Sequence, residues 1–360
     1  MLILQRYVFK ALLLPFGLAL LVLNFIFMGG YFVKAANLII GRGVPITDTF
    51  YVLLLALPEM LGYTVPTSIL LAVLIVFGTL SQNNELRAVK ASGINLLRVI
   101  VPALILGGLL SLGMFVFNDQ VASNMRFELR KTMKRMVIKF PKALIEPGRF
   151  VRLSDSIIFR TAQMVGDELR DIVAYEVEAN DKPVRTIIAE SGDIYSQPGE
   201  MGIQIRLYNG SISEAQNEGV NTIQFKTYEF PTFGQQEIRT MEKKQKDFTL
   251  AEMLLQNGQE NMDLKDRRRL WTAFHGRIAF AMGSFLFVLI GIPVAILVHR
   301  GEIVLSFGLA MAATSTYYIL FAGAQTLALQ GILPIFLALW IPNAVLFAIG
   351  IILLRRSLIG

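Results

Sequence analysis

Six apolar runs, near Val8 to Val33, Val52 to Leu80, Leu97 to Phe117, Phe274 to Val298, Val304 to Leu327 and Ile332 to Leu354, are separated three and three by a polar middle from Asn118 to Arg269. A bilayer core about 30 Å thick takes roughly 20 helical residues to cross. Each run is therefore a candidate span, and six crossings return the chain to the side on which it started. Hydrophobic residues make up 54% of the chain, too many for an ordinary soluble domain, whereas 17% charged is too many for a protein lying wholly in lipid. The first run is longer than the apolar core of a signal peptide and lacks a small-residue cleavage site, so it reads as an anchor.

The middle changes character. Phe150 to Leu153, Ile157 to Phe159, Ile172 to Val177, Arg185 to Ala189, Ile203 to Tyr208 and Thr222 to Phe230 alternate apolar and polar residues, the pattern of half-buried strands. Reversals are supplied by Asn180-Asp181-Lys182-Pro183, Gln197-Pro198-Gly199, Asn209-Gly210 and Asn217-Glu218-Gly219. Strands in series without a long helix between them predict a sandwich or jelly-roll-like sheet. Basic helical connectors frame it, Asn124 to Lys139 on one side and Thr249 to Trp271 on the other, the second opened by a Thr249–Glu252 capping box. The expected organisation is three spans over 1–118, a helical connector over 119–145, a β-domain over 146–235, a second connector over 236–271 and three spans over 272–360. The fold class is an α-helical membrane protein with six transmembrane helices and an inserted all-β domain.

Charge counts on the two sides of the spans nearly tie. The positive-inside rule weighs short loops and termini above long inserts, which puts both termini and the segment 81–94 in the cytoplasm and the β-domain across the membrane. The chain has no Cys, which removes disulfides, thiolate catalysis and thiolate metal sites. His275 and His299 fall at opposite ends of the fourth span, about 36 Å apart along a helix, too far to share a metal. No G-x-x-x-x-G-K-[ST] loop is present to hold nucleotide phosphates. The residues thus predict no catalytic site, metal or cofactor, and ATP use would have to come from a partner.

The segment Ser81 to Ile94, SQNNELRAVKASGI, reads as a short polar helix between two spans. Asn83 and Asn84 are N-cap types, Glu85 lies in the first turn where the helix dipole favours a carboxylate, and Gly93 can close the C-terminus in the left-handed conformation. Leu86 and Val89 share a face, with Arg87 and Lys90 turned elsewhere. Ionisable residues within the spans carry a cost of several kcal/mol unless they face a cavity or snorkel. Glu59, after Pro58, and Lys34, with Arg42 just beyond it, are the candidates. Snorkelling accounts for Lys34 and Arg42; the functional alternative is a cationic rim for a phosphorylated amphiphile.

Four stretches together resemble the lipopolysaccharide-export permease family of the LptF/LptG type: LPEMLGYTVP at Leu57 to Pro66, the S-x-x-x-E-L-x-A-x-x-A-x-G-I helix at Ser81 to Ile94, HGRIAF at His275 to Phe280, and LIGIPVAILVHRGE at Leu289 to Glu302. Their order and spacing agree over nearly the whole chain; the β-insert agrees in position and strand content. The short HRGE turn leans towards the F-like member. The resemblance implies the transmembrane half of an ATP-driven exporter in the inner membrane of a Gram-negative-type bacterium. Such a subunit pairs with a second related permease, docks a cytoplasmic ABC ATPase dimer, takes lipopolysaccharide from the membrane lipids and hands it to a periplasmic β-jelly-roll bridge protein. Carried onto this sequence, Asn84, Glu85, Leu86, Arg87 and Lys90 would seat in the ATPase, Lys34 and Arg42 would lie near lipid phosphates, and Phe27, Tyr31 and Phe32 would line the acyl region. Exposing acyl chains costs about 0.8 kcal/mol per CH₂, so the β-domain should offer an apolar slot, with Ile158, Ile187, Ile205 and Phe225 as candidate lining. No nucleic-acid partner is expected. The rival expectation is a non-transporting membrane scaffold or signalling protein whose β-domain binds a partner.

Overall fold

The computed structural model describes residues 2–41, 44–140, 147–152, 157–165, 168–177, 183–196, 203–216, 219–230, 241–257, 262–298 and 302–359. Arg42, His299, the predicted turn at 197–199, and all but Pro183 and Gly219 of the predicted turns at 180–183 and 217–219 lie outside the described residues. The elements in chain order are α1 (Leu2–Phe27), α2 (Gly29–Ala36), a π-helical turn (Asn37–Gly41), α3 (Ile46–Gln82), α4 (Glu85–Ala91), α5 (Leu97–Val116), a second π-helical turn (Phe117–Ala122) and α6 (Ser123–Lys139). Then come β1 (Val151–Arg152), β2 (Ile157–Val165), β3 (Glu168–Val177), β4 (Pro183–Ser196), β5 (Ile203–Gln216) and β6 (Gly219–Glu229). The chain closes with α7 (Leu250–Asn257), α8 (Leu264–Ala281), α9 (Gly283–Val298), α10 (Ile303–Gln330) and α11 (Ile335–Ile359). Among the described residues, six helical stretches have the length and composition of membrane spans: Ile3–Phe27, Ile46–Gln82, Leu97–Met136, Leu264–Val298, Ile303–Gln330 and Ile335–Leu358.

The chain divides into two compact units. The first, residues 1–30, 56–127 and 243–360, holds the helical bundle. Its core is built where small residues let backbones approach, since lipid removes the hydrophobic drive between helices and leaves packing to hold them. A Cβ on Gly291 would meet Leu70 at 2.7 Å, and one on Gly107 would meet Val288 at 2.9 Å, whereas the adjacent Gly108 faces open space. Polar links run between spans: the Tyr317 hydroxyl donates to Asn343 Oδ1 (2.8 Å), and Asn343 Nδ2 donates to the Ala279 carbonyl (2.8 Å). Helix α3 stays continuous through Pro58 and Pro66. Next to Pro66, whose ring removes a backbone donor, the Tyr63 carbonyl accepts from the Thr67 hydroxyl (2.8 Å) and the Tyr318 hydroxyl (3.0 Å).

The second unit, residues 31–55 and 128–242, contains the β-insert. Its six strands form one antiparallel sheet in the order β1-β2-β3-β4-β5-β6, an up-and-down meander. All six expected strands are present and most run longer than the alternation in the sequence marks them. The inner face carries Ile157, Phe159, Leu169, Ile172, Ala174, Ile187, Ala189, Ile194, Ile205 and Leu207, all buried. Asp171 and Asn209 take positive φ (52° and 51°) and stand in one row with Glu190 between matched pairs in β3, β4 and β5. The inward-facing parity switches across this row in each strand, so the sheet is creased, and Ile172 on one side lies against Gly192 on the other. Elsewhere in this unit Lys139 and Asp48 form an ion pair at 2.8 Å beside a small cluster of Val44, Val52 and Met136.

The Thr249 to Trp271 connector is helical in two pieces. It is α7 followed by α8, and Asp263 is extended (φ −60°, ψ 146°) immediately before α8, which runs on into the fourth span. The capping box is present: the Thr249 N–H donates to Glu252 Oε2 (2.8 Å) and the Glu252 N–H to Thr249 Oγ1 (3.3 Å). Burial pushes the Glu252 carboxyl up, but the Lys243 ammonium 2.7 Å away and the Thr249 groups outweigh it and hold the carboxyl below the ordinary carboxylate range. A depressed folded-state value stabilises above the unfolded value of about 4.3 and loses that stabilisation as pH falls through the lowered one. Thermal unfolding followed from pH 7 to 3 should therefore show Glu252→Gln less stable than wild type at neutral pH, with the two converging in acid.

Candidate functional site

Helix α4 follows α3 after only Asn83 and Asn84, and this tightness sets its geometry. Asn84 takes the left-handed conformation (φ 59°, ψ 14°), which Asn tolerates better than most residues. Its Oδ1 accepts from Arg87 Nη1 at 3.1 Å instead of capping the helix, so the N-cap expectation gives way to a left-handed turn. Gly93 is left-handed as expected (φ 75°), and its N–H donates to the Lys90 carbonyl at 3.0 Å. Leu86 is buried in the bundle core and Val89 packs against the same cluster, while Asn84, Arg87 and Lys90 are exposed and Glu85 is half-buried. The Tyr7 hydroxyl of α1 donates to Glu85 Oε2 at 3.4 Å, and Gln5 Nε2 donates to the Arg98 carbonyl at 3.4 Å. Two apolar anchors thus fix a seven-residue helix whose outer face presents a carboxylate, an amide and two cations.

At the opposite ends of the spans lies a buried polar cluster. The π-helical turn after α5 places Asn118 and Asp119 among buried residues, and π-bulges recur at functional positions. Asp119 Oδ1 accepts from Arg277 Nη1 of α8 at 2.5 Å and from the Leu250 N–H at 2.7 Å; its Oδ2 accepts from Gln120 Nε2 at 2.8 Å. Arg277 Nη2 donates to the carbonyls of Lys246 (3.2 Å) and Phe248 (2.8 Å). Arg126 of α6 donates to the Lys246 carbonyl (3.1 Å) and the Ser123 hydroxyl (3.3 Å), and its buried Nε has no partner among the described residues. Two arginines and an aspartate therefore satisfy the irregular backbone that leads from the insert back to the membrane.

A cavity of about 360 Å³ adjoins this cluster. Glu59, Asn118, Arg126, Lys246, Arg277 and Gln325 give it a polar side, and Tyr63, Phe280, Tyr318 and Phe321 an aromatic one. Edge-on contacts of Tyr63 with Phe280 (5.2 Å) and with Tyr318 (5.3 Å) fix the aromatic wall. Such a cavity can receive an amphiphile with a charged head and an apolar body. Among the described residues no group of three or more His, Asp or Glu is placed to hold a metal ion.

The residues expected to meet lipid are spread out. Lys34 is exposed near the end of α2, its ammonium 5.6 Å from the Tyr31 ring centroid. Phe27, Tyr31 and Phe32 are half-buried. In the β-insert Ile187 and Ile205 are fully buried in the core of the inner face, and Phe225 packs against that core. Ile158 alternates with buried Ile157 and Phe159 and so points from the other face; the four are not brought to one surface. Sequence reasoning missed Asp119 as a partner of Arg277, because 158 residues separate them. The only local signal was a polar Asn-Asp-Gln closing an apolar run.

The family model described as "Lipopolysaccharide export system permease LptF/LptG" matches residues 6–356. The "Uncharacterized protein RP871" of Rickettsia prowazekii is 21% identical over 154 residues, 42% of this chain and 42% of that protein, so the chain spans less than half the length of this curated relative.

Proposed function

Because the chain belongs to the LptF/LptG family of lipopolysaccharide export system permeases, we propose that it is the membrane-spanning subunit of an exporter driven by a separate cytoplasmic ABC ATPase dimer. The observation that carries this reading is α4: a short helix anchored by Leu86 and Val89, with Asn84, Glu85, Arg87 and Lys90 on or beside its accessible face. ATP binding would close the ATPase pair and push α4. Leu86 would pass that motion to the bundle core, and rocking of packed spans would alter access to lipid on the insert's side. A second related permease would complete the cavity. Lys34, Arg42 and Arg126 would meet lipid phosphates, while Phe27, Tyr31, Phe32 and the aromatic wall around Tyr63 would meet acyl chains. The membrane is the inner membrane, with the termini cytoplasmic and the β-insert periplasmic.

Transfer onward would use the sheet. β6 is an edge strand, and most of its described residues from 221 to 229 are exposed. An edge of this length can accept a strand from a periplasmic β bridge protein, backbone to backbone. The inner face around Ile187, Ile205 and Phe225 would shelter acyl chains if the creased sheet opened, with Ile158 on the outer side of that route.

Glu85→Arg tests the docking. Reversing a charge at a desolvated contact costs about 2–5 kcal/mol, on the order of 30-fold or more in affinity. The variant should lose its co-purifying ATPase while the circular dichroism of the whole chain stays unchanged. Retention of a full complement of ATPase by a folded Glu85→Arg variant would remove α4 as the docking element.

A further inference from the structure

The bundle contains its own markers of membrane depth. Arg268 of α8 lies against Gly331, in the turn that joins α10 to α11. From Arg268 to the end of α9 at Val298 is 30 residues, about 45 Å of helix, and α10 with its 28 residues runs about 42 Å. Both lengths match the 40–45 Å of a bilayer with its headgroups. These lengths put the level of Arg268 and Gly331 at the outer edge of the headgroup region on the insert's side, and Arg277, nine residues or about 13.5 Å further in, past the roughly 5–8 Å headgroup layer and several ångströms into the acyl region.

Helix α7 is held between these levels at both ends. Its first residue, Leu250, gives its N–H to Asp119, the partner of Arg277, and its last, Asn257, accepts from the Trp271 indole at 3.2 Å. Met253 is turned into the protein, but Leu254 is 56% and Leu255 78% exposed. Around them stand the features of an interfacial site: an indole with its N–H bonded, Arg267 and Arg269 exposed on either side of Arg268, and Lys265 exposed about 4.5 Å further out. Backbone groups that water would otherwise satisfy are satisfied from within the protein, the carbonyls of Lys246 and Phe248 by arginine and the N–H groups of Thr249, Leu250 and Glu252 by carboxylate or hydroxyl. Non-helical backbone at membrane depth requires this arrangement.

We propose that α7 is a lipid-contacting interfacial helix that sets Leu254 and Leu255 into the acyl boundary of the bulk phospholipid leaflet on the insert's side. Short amphipathic helices reach about 5–10 Å into that boundary. Exposed leucines with arginines to their outer side complement acyl chains lying beneath phosphates, and it is this pairing that points to a bilayer surface as the occupant. The helix would keep the returning connector at a fixed depth while the spans move.

The absence of native cysteine allows a direct test. Leu255→Cys in the full chain is labelled with a bimane fluorophore and placed in phospholipid nanodiscs free of lipopolysaccharide, with and without lipids brominated on the upper acyl chain. Asn83→Cys, exposed at the other end of the spans, serves as the comparison. The expected result is quenching several-fold stronger at position 255 than at position 83, with blue-shifted emission. Equal, weak quenching with water-like emission would place α7 in solvent, and blue-shifted but unquenched emission would mean that protein covers it; either overturns the proposal. Quenching that appears only after lipopolysaccharide is added would assign the leucines to transported lipid and overturn it as well.

Discussion

Replacing Arg277 with Ala should destabilise the bundle by about 3–5 kcal/mol, the range for removing one partner of a buried ion pair. The side chains of Arg277 and Asp119 are only 6% and 9% exposed, so the aspartate left behind would be an uncompensated charge. The carbonyl of Phe248 would lose its donor and that of Lys246 one of two. Thermal unfolding in a fixed detergent should show the loss. Asp119→Ala should cost a similar amount, and the double variant less than the sum, since two acting on one pair couple strongly. The conservative Arg277→Lys should recover little, because a single ammonium cannot reach Asp119 and two carbonyls from one planar fork. Additive costs would show that the two residues act separately.

Gly107→Leu and Gly108→Leu should separate sharply although the positions are adjacent. At Gly107 a side chain would run into the branched carbons of Val288 at 2.9 and 3.1 Å and the Phe285 Cα at 3.4 Å, so α5 and α9 must part. Overpacking of this kind costs about 1–3 kcal/mol and sometimes more. Gly108 has nothing within 4 Å of an added Cβ, and Leu there should change stability by about 0.5 kcal/mol or less. The comparison is made by unfolding both variants side by side. If Gly107→Leu is as stable as Gly108→Leu, the close approach of α5 and α9 is not a feature of the working bundle.

The parts legible in the sequence were those written in local periodicity. Six spans followed from run length, and six strands from alternation, because both signals lie within one element. Their limits were less legible. The third span does not stop at Phe117: the π-helical turn at Phe117–Ala122 carries it into α6, and Asn118 and Asp119 are accommodated by inward burial, which no local pattern announces. Asn84 was expected to cap and instead makes the turn, since two residues between α3 and α4 leave no room for an extended cap. The clasp on Arg277 was least legible. Its arginine stands in a recognisable stretch, but its carboxylate and the carbonyls it holds come from other parts of the chain. The crease across β3, β4 and β5 depends on Asp171, Glu190 and Asn209 falling in register, and only Asn209-Gly210 looked like a turn.

A helix of seven residues is far below the length, about 12–15 residues, at which helices persist alone in water. The order of α4 is therefore borrowed from the bundle through Leu86 and Val89. On the proposed docking, a subunit whose spans had not yet packed would offer the motor only a disordered peptide. Recruitment would then wait on assembly, and ATP would not be spent on an unfinished machine.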